Sequence, residues 1–395
     1  MSSDGSGPAG ATPPAAFDTS EMLADLERLV NVESPSHQLE AIAASAGAVA
    51  ELMERRLGSA PALVDSPAGA HVHWRAAGEP RLLLLGHHDT VFPLGSLAAR
   101  PFAVADGRAT GPGVFDMKGG IVLAVHALAA LAAGREGSGG RGIELLFSAD
   151  EEVGSAASRQ LIEERARACG QVLVLEPAAD GGALKIGRKG VGMYRVTVTG
   201  RAAHAGLEPE QGVNALVEAA HQVLAIVEIA APGAGTTVTP TVAAAGTAEN
   251  VVPAVATVAV DVRVTSSDEA DRVDAAMAAL GATNTAATIT VTGGVNRPPM
   301  AESASAVLFA EAEEAGRDAG LAPFAGVSVG GGSDGNFTAA IGVPTLDGLG
   351  VVGGGAHADH EWVDVARLPE RACLLAALIR RLCQDARRPA SRILT

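Results

Sequence analysis

LLLLGHHDTVFP, residues 82–93, sets four leucines directly before Gly86, His87, His88 and Asp89. An apolar run of that length ahead of a turn reads as a buried strand of an α/β sheet. Along an extended segment residues i and i+2 share a side, so His87 and Asp89 point together and His88 points away. A histidine backed by a carboxylate suits a metal site, because the carboxylate can fix the tautomer of the ligating ring. An ordinary polar strand end would carry the same residues, so the rest of the chain has to decide.

From Phe17 to about Gly187, helical and strand patterns alternate. Leu39, Ile42, Val49, Leu52, Met53 and Leu57 recur at helical spacing and stop at Gly58. Strands are expected at 71–76, 81–87, 143–148 and 172–176, with a helix at 118–133. Such alternation builds a mostly parallel, helix-covered sheet. Ligands of these sheets gather outside the carboxyl ends of the strands, where His87, the Asp150-Glu151-Glu152 run and Glu176 all fall.

Residues 189–297 read differently. MYRVTVTG alternates as a half-exposed strand and VNALVEAAHQVLAIVEIA is an amphipathic helix. Two strands (TTVTPTVAAAG, VATVAVDVRVT), a helix (SDEADRVDAAMAALG) and a last strand (ATITVTG) follow, the β-α-β-β-α-β order of a ferredoxin-like α+β unit. The α/β pattern then resumes, with helices near 303–319 and 368–386 and a strand near 343–347. The expected organisation is a discontinuous domain of 17–188 and 298–388 interrupted by an inserted domain of 189–297. Residues 1–16 are small, polar and rich in Pro and Gly, and read as a disordered tail.

With 395 residues, 48% hydrophobic and 19% charged, the chain can bury a large core and is long enough for two domains. A formal charge of −16 without a basic cluster argues against nucleic acid or an anionic membrane as partner. The first residues lack the basic start and apolar core of a signal peptide, so a cytoplasmic location is expected. No apolar run is expected to reach membrane-spanning length. Cys169, Cys373 and Cys383 lie far apart and outside any C-x-x-C pattern. Neither a disulfide framework nor a thiolate zinc site follows, so a metal would have to be held by His and carboxylates.

Four segments supply such groups. In GPGVFDMKGG (111–120) Asp116 opens a helix, a place that a plain N-cap also explains. IELLFSADEEVGS (143–155) ends a buried strand in three consecutive acids, which raise one another's pKa unless a cation sits among them. VLVLEP (172–177) ends in Glu176, kept extended by Pro177. GGGAHADHEWVD (353–364) offers His357 and His360 in a glycine loop, and either could be the functional one. Joined, His87, Asp116, Glu152, Glu176 and His357 give one histidine and one carboxylate to each of two metals plus a bridging carboxylate. Nitrogen and oxygen donors without thiolate suit two Zn²⁺, with Co²⁺ or Mn²⁺ as alternative occupants. Two such ions about 3.5–4 Å apart clamp an attacking hydroxide and polarise a carbonyl. On this reading His87 ligates, Asp89 orients it and His88 is a bystander.

GHHDTV (86–91), GPGVFDMKGG (111–120), SADEEVGS (148–155), LEP (175–177), GRAAHAG (200–206), ENVVPA (249–254), GGGSD (330–334) and AHADHEWVD (356–364) follow one another along the chain. In that order they resemble the M20 metallopeptidases, and within them the glutamate carboxypeptidase and aminoacylase branch. The resemblance spans nearly all of Phe17 to Cys383. It implies a zinc-peptidase-like catalytic domain with an inserted dimerisation domain. It places His87 and Glu176 on one metal, Glu152 and His357 on the other, and Asp116 between them. Asp89 becomes the partner of His87, and Glu151 the general base acting on the metal-bridging water. The bond from Asp116 to Met117 is implied to be cis. The implied reaction is hydrolysis of the amide of an N-acyl amino acid or of the C-terminal bond of a small peptide. A homodimer is implied as well, with His204 donating to the oxyanion of the other chain's site. Asn250 and Arg263 would grip the released residue's carboxylate, with Arg297 as a further contributor. Gly331, Gly332 and Ser333 would let backbone approach the substrate.

Two departures stand out. Lys185, Arg188 and Lys189 in DGGALKIGRKG do not align cleanly with the lysine that glutamate-specific members can carry, which leaves glutamate preference open. His360 stands where other members often have lysine. The rival readings are an aminopeptidase or dipeptidase of the same superfamily, which must recognise a free amine, and a non-catalytic amino-acid-binding relative, which should lack a ligand or the base. None is missing here.

Overall fold

A computed structural model of the chain describes residues 16–133 and 141–384. The expected disordered tail lies, apart from Ala16, outside the described residues. The chain divides into two compact units: one holds the described residues up to Gly187, Glu302–Ser328 and those from Ser333 onward, the other Arg188–Ala301 with Val329–Gly332.

The first unit is built on a six-stranded sheet in the order Ala62–Val64, His71–Arg75, Ile143–Ser148, Leu82–His87, Val172–Val174, Thr345–Leu346. The last four strands pair parallel. The two at the other edge pair antiparallel, a direction that an apolar pattern does not carry. Leu82–His87 is buried along its whole length between two parallel neighbours, as a helix-covered strand must be. His87 pairs with Ser148, and Leu85 with Val174. The register therefore brings three strand ends to one level, and their following residues emerge together. The strand expected at 172–176 stops at Val174, so Glu176 already belongs to the loop.

Helix Gly119–Ala133 is apolar all round (GGIVLAVHALAALAA) and therefore buried. It packs on helices Leu368–Gln384, Leu39–Leu57 and Thr19–Val30. Here the structure corrects an expectation: residues 114–133 are long and apolar enough to cross a membrane, but most of the stretch is enclosed by this fold, as a core helix is. Helix Leu39–Leu57 ends at Gly58 in the left-handed region, as its pattern predicts. Helix Thr19–Val30 was not singled out in the sequence. Its signal is Asp18, whose carboxylate accepts from Ser20 and Glu21 N–H.

The second unit is an antiparallel sheet in the order Thr237–Ala245, Val255–Val264, Gly190–Thr199, Thr288–Arg297, with helices Ala215–Val227 and Ser267–Ala278. This is the expected ferredoxin-like arrangement. Alternate residues of the two central strands (Val196, Val198, Val258, Val260, Val262) form its core with Val273 and Met277 from a helix, as period-two patterning demands.

Candidate metal centre

His87 ends the central strand, and its ring is turned by its own chain. Nδ1 lies 3.0 Å from the Asp89 carbonyl and 3.3 Å from the Asp89 carboxylate. A carbonyl only accepts, so Nδ1 donates and Nε2 faces the site. The Asp89 carboxylate is buried and does more than orient His87. It accepts from Ser36 Oγ at 2.7 Å and from the N–H groups of Glu151 and Glu152 at 3.2 Å each. It therefore ties the acidic turn to the end of the neighbouring strand. His88, turned away, packs against Ser45 and the Ala70 carbonyl. Burial holds its pKa down to about 4, so it stays neutral.

Asp116 is not the N-cap of helix Gly119–Ala133, which begins three residues later. Its backbone is non-helical, φ −115° and ψ 96°, and the following bond to Met117 is cis. Its side chain looks both ways: Oδ1 is 3.3 Å from His87 Nε2, and Oδ2 is 3.3 Å from His357 Nε2. Glu176 Oε1 is 3.4 Å from His87 Nε2, and Glu152 Oε2 is 3.1 Å from His357 Nε2. The five expected ligands thus form two groups sharing Asp116. Glu151 is buried beside them, its carboxylate within 4.8 Å of the His87 and Glu176 donor atoms. His360 is exposed and belongs to neither group of converging donor atoms among the described residues.

The spacing bears on what the residues can hold. Around a tetrahedral ion with bonds of about 2.0–2.1 Å, adjacent donor atoms stand about 3.3–3.4 Å apart. A charge-assisted N–H···O bond is shorter, about 2.7–2.9 Å. The distances of 3.1–3.4 Å match donors around an ion better than hydrogen-bonded partners. Glu152 Oε1 is moreover buried without a hydrogen-bond partner among the described residues, a costly state for a carboxylate unless a cation takes it. The residues present fit a pair of divalent ions.

Without a cation the cluster keeps protons. Burial pulls His87 down, but Asp116, Asp89 and Glu176 lift it well above the ordinary histidine value. Asp116 and Glu152 raise His357 to about 10. Burial opposes ionisation of Asp116, yet His357 and His87 hold it far below the usual carboxylate range. Burial pushes Glu152 up despite the pull of His357.

Close packing fixes these positions. A Cβ on Gly120 would lie 2.2 Å from the Leu175 carbonyl oxygen, and one on Gly350 would lie 2.3 Å from the same atom. Two glycines thus clasp the backbone that presents Glu176. Behind the acidic turn, Asp334 accepts from Ser148 and Ser155 hydroxyls. Glu361, within the motif AHADHEWVD, accepts from three backbone N–H groups around Asp116. The sequence shows an acid there but not its burial, so its part was missed.

The substrate candidates sit elsewhere. In the second unit His204 and Asn250 lie on paired segments: Ala205 N–H donates to the Asn250 carbonyl, and Val252 N–H to that of Ala203, each at 2.9 Å. His204 Nδ1 accepts from Gly206 N–H at 3.1 Å, leaving Nε2 as the donor. Arg263 is engaged by Asp261 through Nε and Nη2, both 2.9 Å, on the open face of its strand. Arg297 is buried at its strand's end and pairs with Val191. The carbonyls of Gly331 and Gly332 accept from the buried Arg188 guanidinium. Ser333 is placed differently. It is fully buried in the first unit, its hydroxyl donating to Asp347 at 2.6 Å and its N–H to Asn336 at 2.9 Å. Its side chain is engaged within the fold and shapes the loop.

Two histidines and four acids converging in this way define a candidate metal-dependent hydrolase centre, and the chain belongs to peptidase family M20/M25/M40, whose family model matches residues 83–381. It is 36% identical over 375 residues to carboxypeptidase G2 of Pseudomonas sp. (strain RS-16), covering 91% of this chain and 88% of that one. Among solved structures, it resembles an M20 family metallo-carboxypeptidase from Sulfolobus solfataricus (TM-score 0.73, 16% identity, 93% and 100% of the two chains). A tripeptidase from Staphylococcus aureus is similar too (TM-score 0.71, 21% identity, 93% and 99%). At those identities the likeness is one of fold.

Proposed function

We propose that this peptidase is a two-metal amidohydrolase that cleaves an N-acyl amino acid or the C-terminal residue of a small peptide. The observation carrying the two-metal reading is the Asp116 carboxylate, with one oxygen 3.3 Å from each of two histidines. The 36% identity to carboxypeptidase G2 supports the substrate class. His87, Glu176 and Asp116 would hold one Zn²⁺, and His357, Glu152 and Asp116 the other, with Co²⁺ or Mn²⁺ as substitutes. Ions so held supply Lewis acidity toward the carbonyl and lower the pKa of water.

The chain's own residues do the rest. Glu151 accepts a proton from the attacking water and returns it to the amide nitrogen as the C–N bond breaks. His204 donates its Nε2 proton to the carbonyl oxygen as charge develops there. It acts in the site of the other chain of a homodimer. An exposed apolar face on helix Ala215–Val227 (Leu216, Val217, Leu224, Val227) and the unpaired edge of strand Thr237–Ala245 support such pairing. Arg263 and Asn250 bind the α-carboxylate. Because Asp261 fills one side of the Arg263 fork, the substrate either uses Nη1 or displaces Asp261.

Metal analysis followed by a hydrolysis screen tests this. N-acyl amino acids differing only in the released residue, and dipeptides with blocked and free amines, are the substrates. Two ions per chain and cleavage of blocked substrates are expected. Cleavage confined to free amines would shift the reading to an aminopeptidase or dipeptidase.

A further inference from the structure

We infer that Glu361 is a positioning residue that sets the distance between the two candidate metal sites, by holding the backbone of the Asp116 turn against the loop that carries His357. The inference rests on the two-metal reading above.

Glu361 is only 2% exposed. Its Oε2 accepts from Gly113 N–H, and its Oε1 from both Phe115 and Asp116 N–H, each at 2.8 Å. A carboxylate has about four acceptor positions, so three are already filled by backbone. This carboxylate belongs to neither group of converging donor atoms, and its burial keeps it from substrate. It acts on the site only through what it holds.

What it holds is the peptide leading into Asp116. Two N–H groups meeting on one oxygen fix the plane of that peptide, and hence the direction in which the Asp116 side chain leaves. On its other side Glu361 is four residues beyond His357. The loop between them is closed at its base by the pairing of Gly354 with Trp362, and Trp362 pairs in turn with Thr110, just before the turn. His357 itself is held at φ +62°, a conformation that a non-glycine residue keeps only when its surroundings impose it. The 3.3 Å separation of Asp116 Oδ2 and His357 Nε2 is therefore set across Glu361. His87 and Glu176 follow adjacent parallel strands, and their spacing does not pass through it.

This asymmetry gives the test. The metal-free parent, Glu361→Gln and Glu361→Asp are titrated with Co²⁺ and with Zn²⁺, and melting is followed with and without metal. Glutamine keeps one acceptor oxygen but turns an amide N–H₂ toward a backbone donor; aspartate keeps the charge but falls a methylene short. The parent is expected to bind two ions. Both ions share Asp116, so each variant should weaken both, but the ion on His357 and Glu152 should lose more, about 10–100-fold, because its second histidine is misaligned as well. The Co²⁺ spectrum of that ion should change, and excess metal should recover part of the turnover. The metal-free melting temperature should move much less than the metal-loaded one. Two ions at parental affinity in both variants would overturn the inference, as would equal weakening of both ions. A loss mirrored in metal-free melting, or failure of both variants to fold, would make Glu361 a structural tie and overturn it too. A parent that binds no metal would instead sink the two-metal reading itself.

Discussion

Gly120→Ala offers a severe test of how tightly the centre is packed, with Gly47→Ala as its counterpart. The added methyl at position 120 would sit 2.2 Å from the Leu175 carbonyl oxygen and 2.8 Å from Met117 Cε. The methionine tip can swing aside; a backbone carbonyl cannot. An ordinary C···O contact is about 3.3–3.6 Å, so roughly 1 Å must open between the start of helix Gly119–Ala133 and the Leu175–Glu176 backbone. Asp116 leads into that helix and Glu176 follows that carbonyl, so the shift falls on donors 3.3 and 3.4 Å from His87 Nε2. Metal–ligand distances tolerate about 0.2 Å. Overpacking of this kind costs about 1–3 kcal/mol, and a displacement of about 1 Å costs about 10²-fold in rate. At Gly47, inside helix Leu39–Leu57, a Cβ meets nothing within 4 Å. Alanine there should stabilise by about 0.5–1 kcal/mol. Denaturant midpoints, metal content and kcat of the two variants provide the comparison. Gly120→Ala retaining parental turnover, metal and midpoint would refute the packing argument.

Two further outcomes are expected. Glu151→Gln should keep both ions while losing on the order of 10²–10⁴ in turnover, whereas Glu152→Gln should lose one ion; equal metal loss in both variants would end that division of labour. Metal uptake should also release protons. The His357 pKa is raised to about 10, so below that pH the metal-free ring is charged and must discharge before it can ligate. Affinity should thus climb with pH from neutral toward 10, and acidification should expel metal. Zinc added to weakly buffered metal-free protein at pH 8 should acidify the solution, and an unchanged pH would contradict the cluster's protonation.

What the sequence discloses and what it hides follow from physical range. The strand before His87 is legible because an unbroken leucine run has one comfortable place, inside a covered sheet. Glu152 and Glu176 are legible as candidates because acids at the ends of such strands are conspicuous. The direction of His71–Arg75 is not legible, since a residue pattern records burial and not polarity of pairing. Asp116 looks like an N-cap because local spacing is all that the sequence displays. Its true backbone is held by Glu361, 245 residues away. The burial of Ser333 against Asp347 is hidden for the related reason that its partner lies 14 residues away, outside any local pattern.

The interruption of the first unit has a consequence in time. Four of the five candidate ligands are made before the insertion, and His357 comes 181 residues after Glu176. At roughly 5–20 residues per second, a ribosome takes about 10–35 s to cover that stretch. During that interval the acids of the nascent chain wait without their second histidine, while the inserted unit, whose buried core comes from its own residues, emerges whole. The parts of the centre are synthesised early, but the centre is completed only when the chain returns.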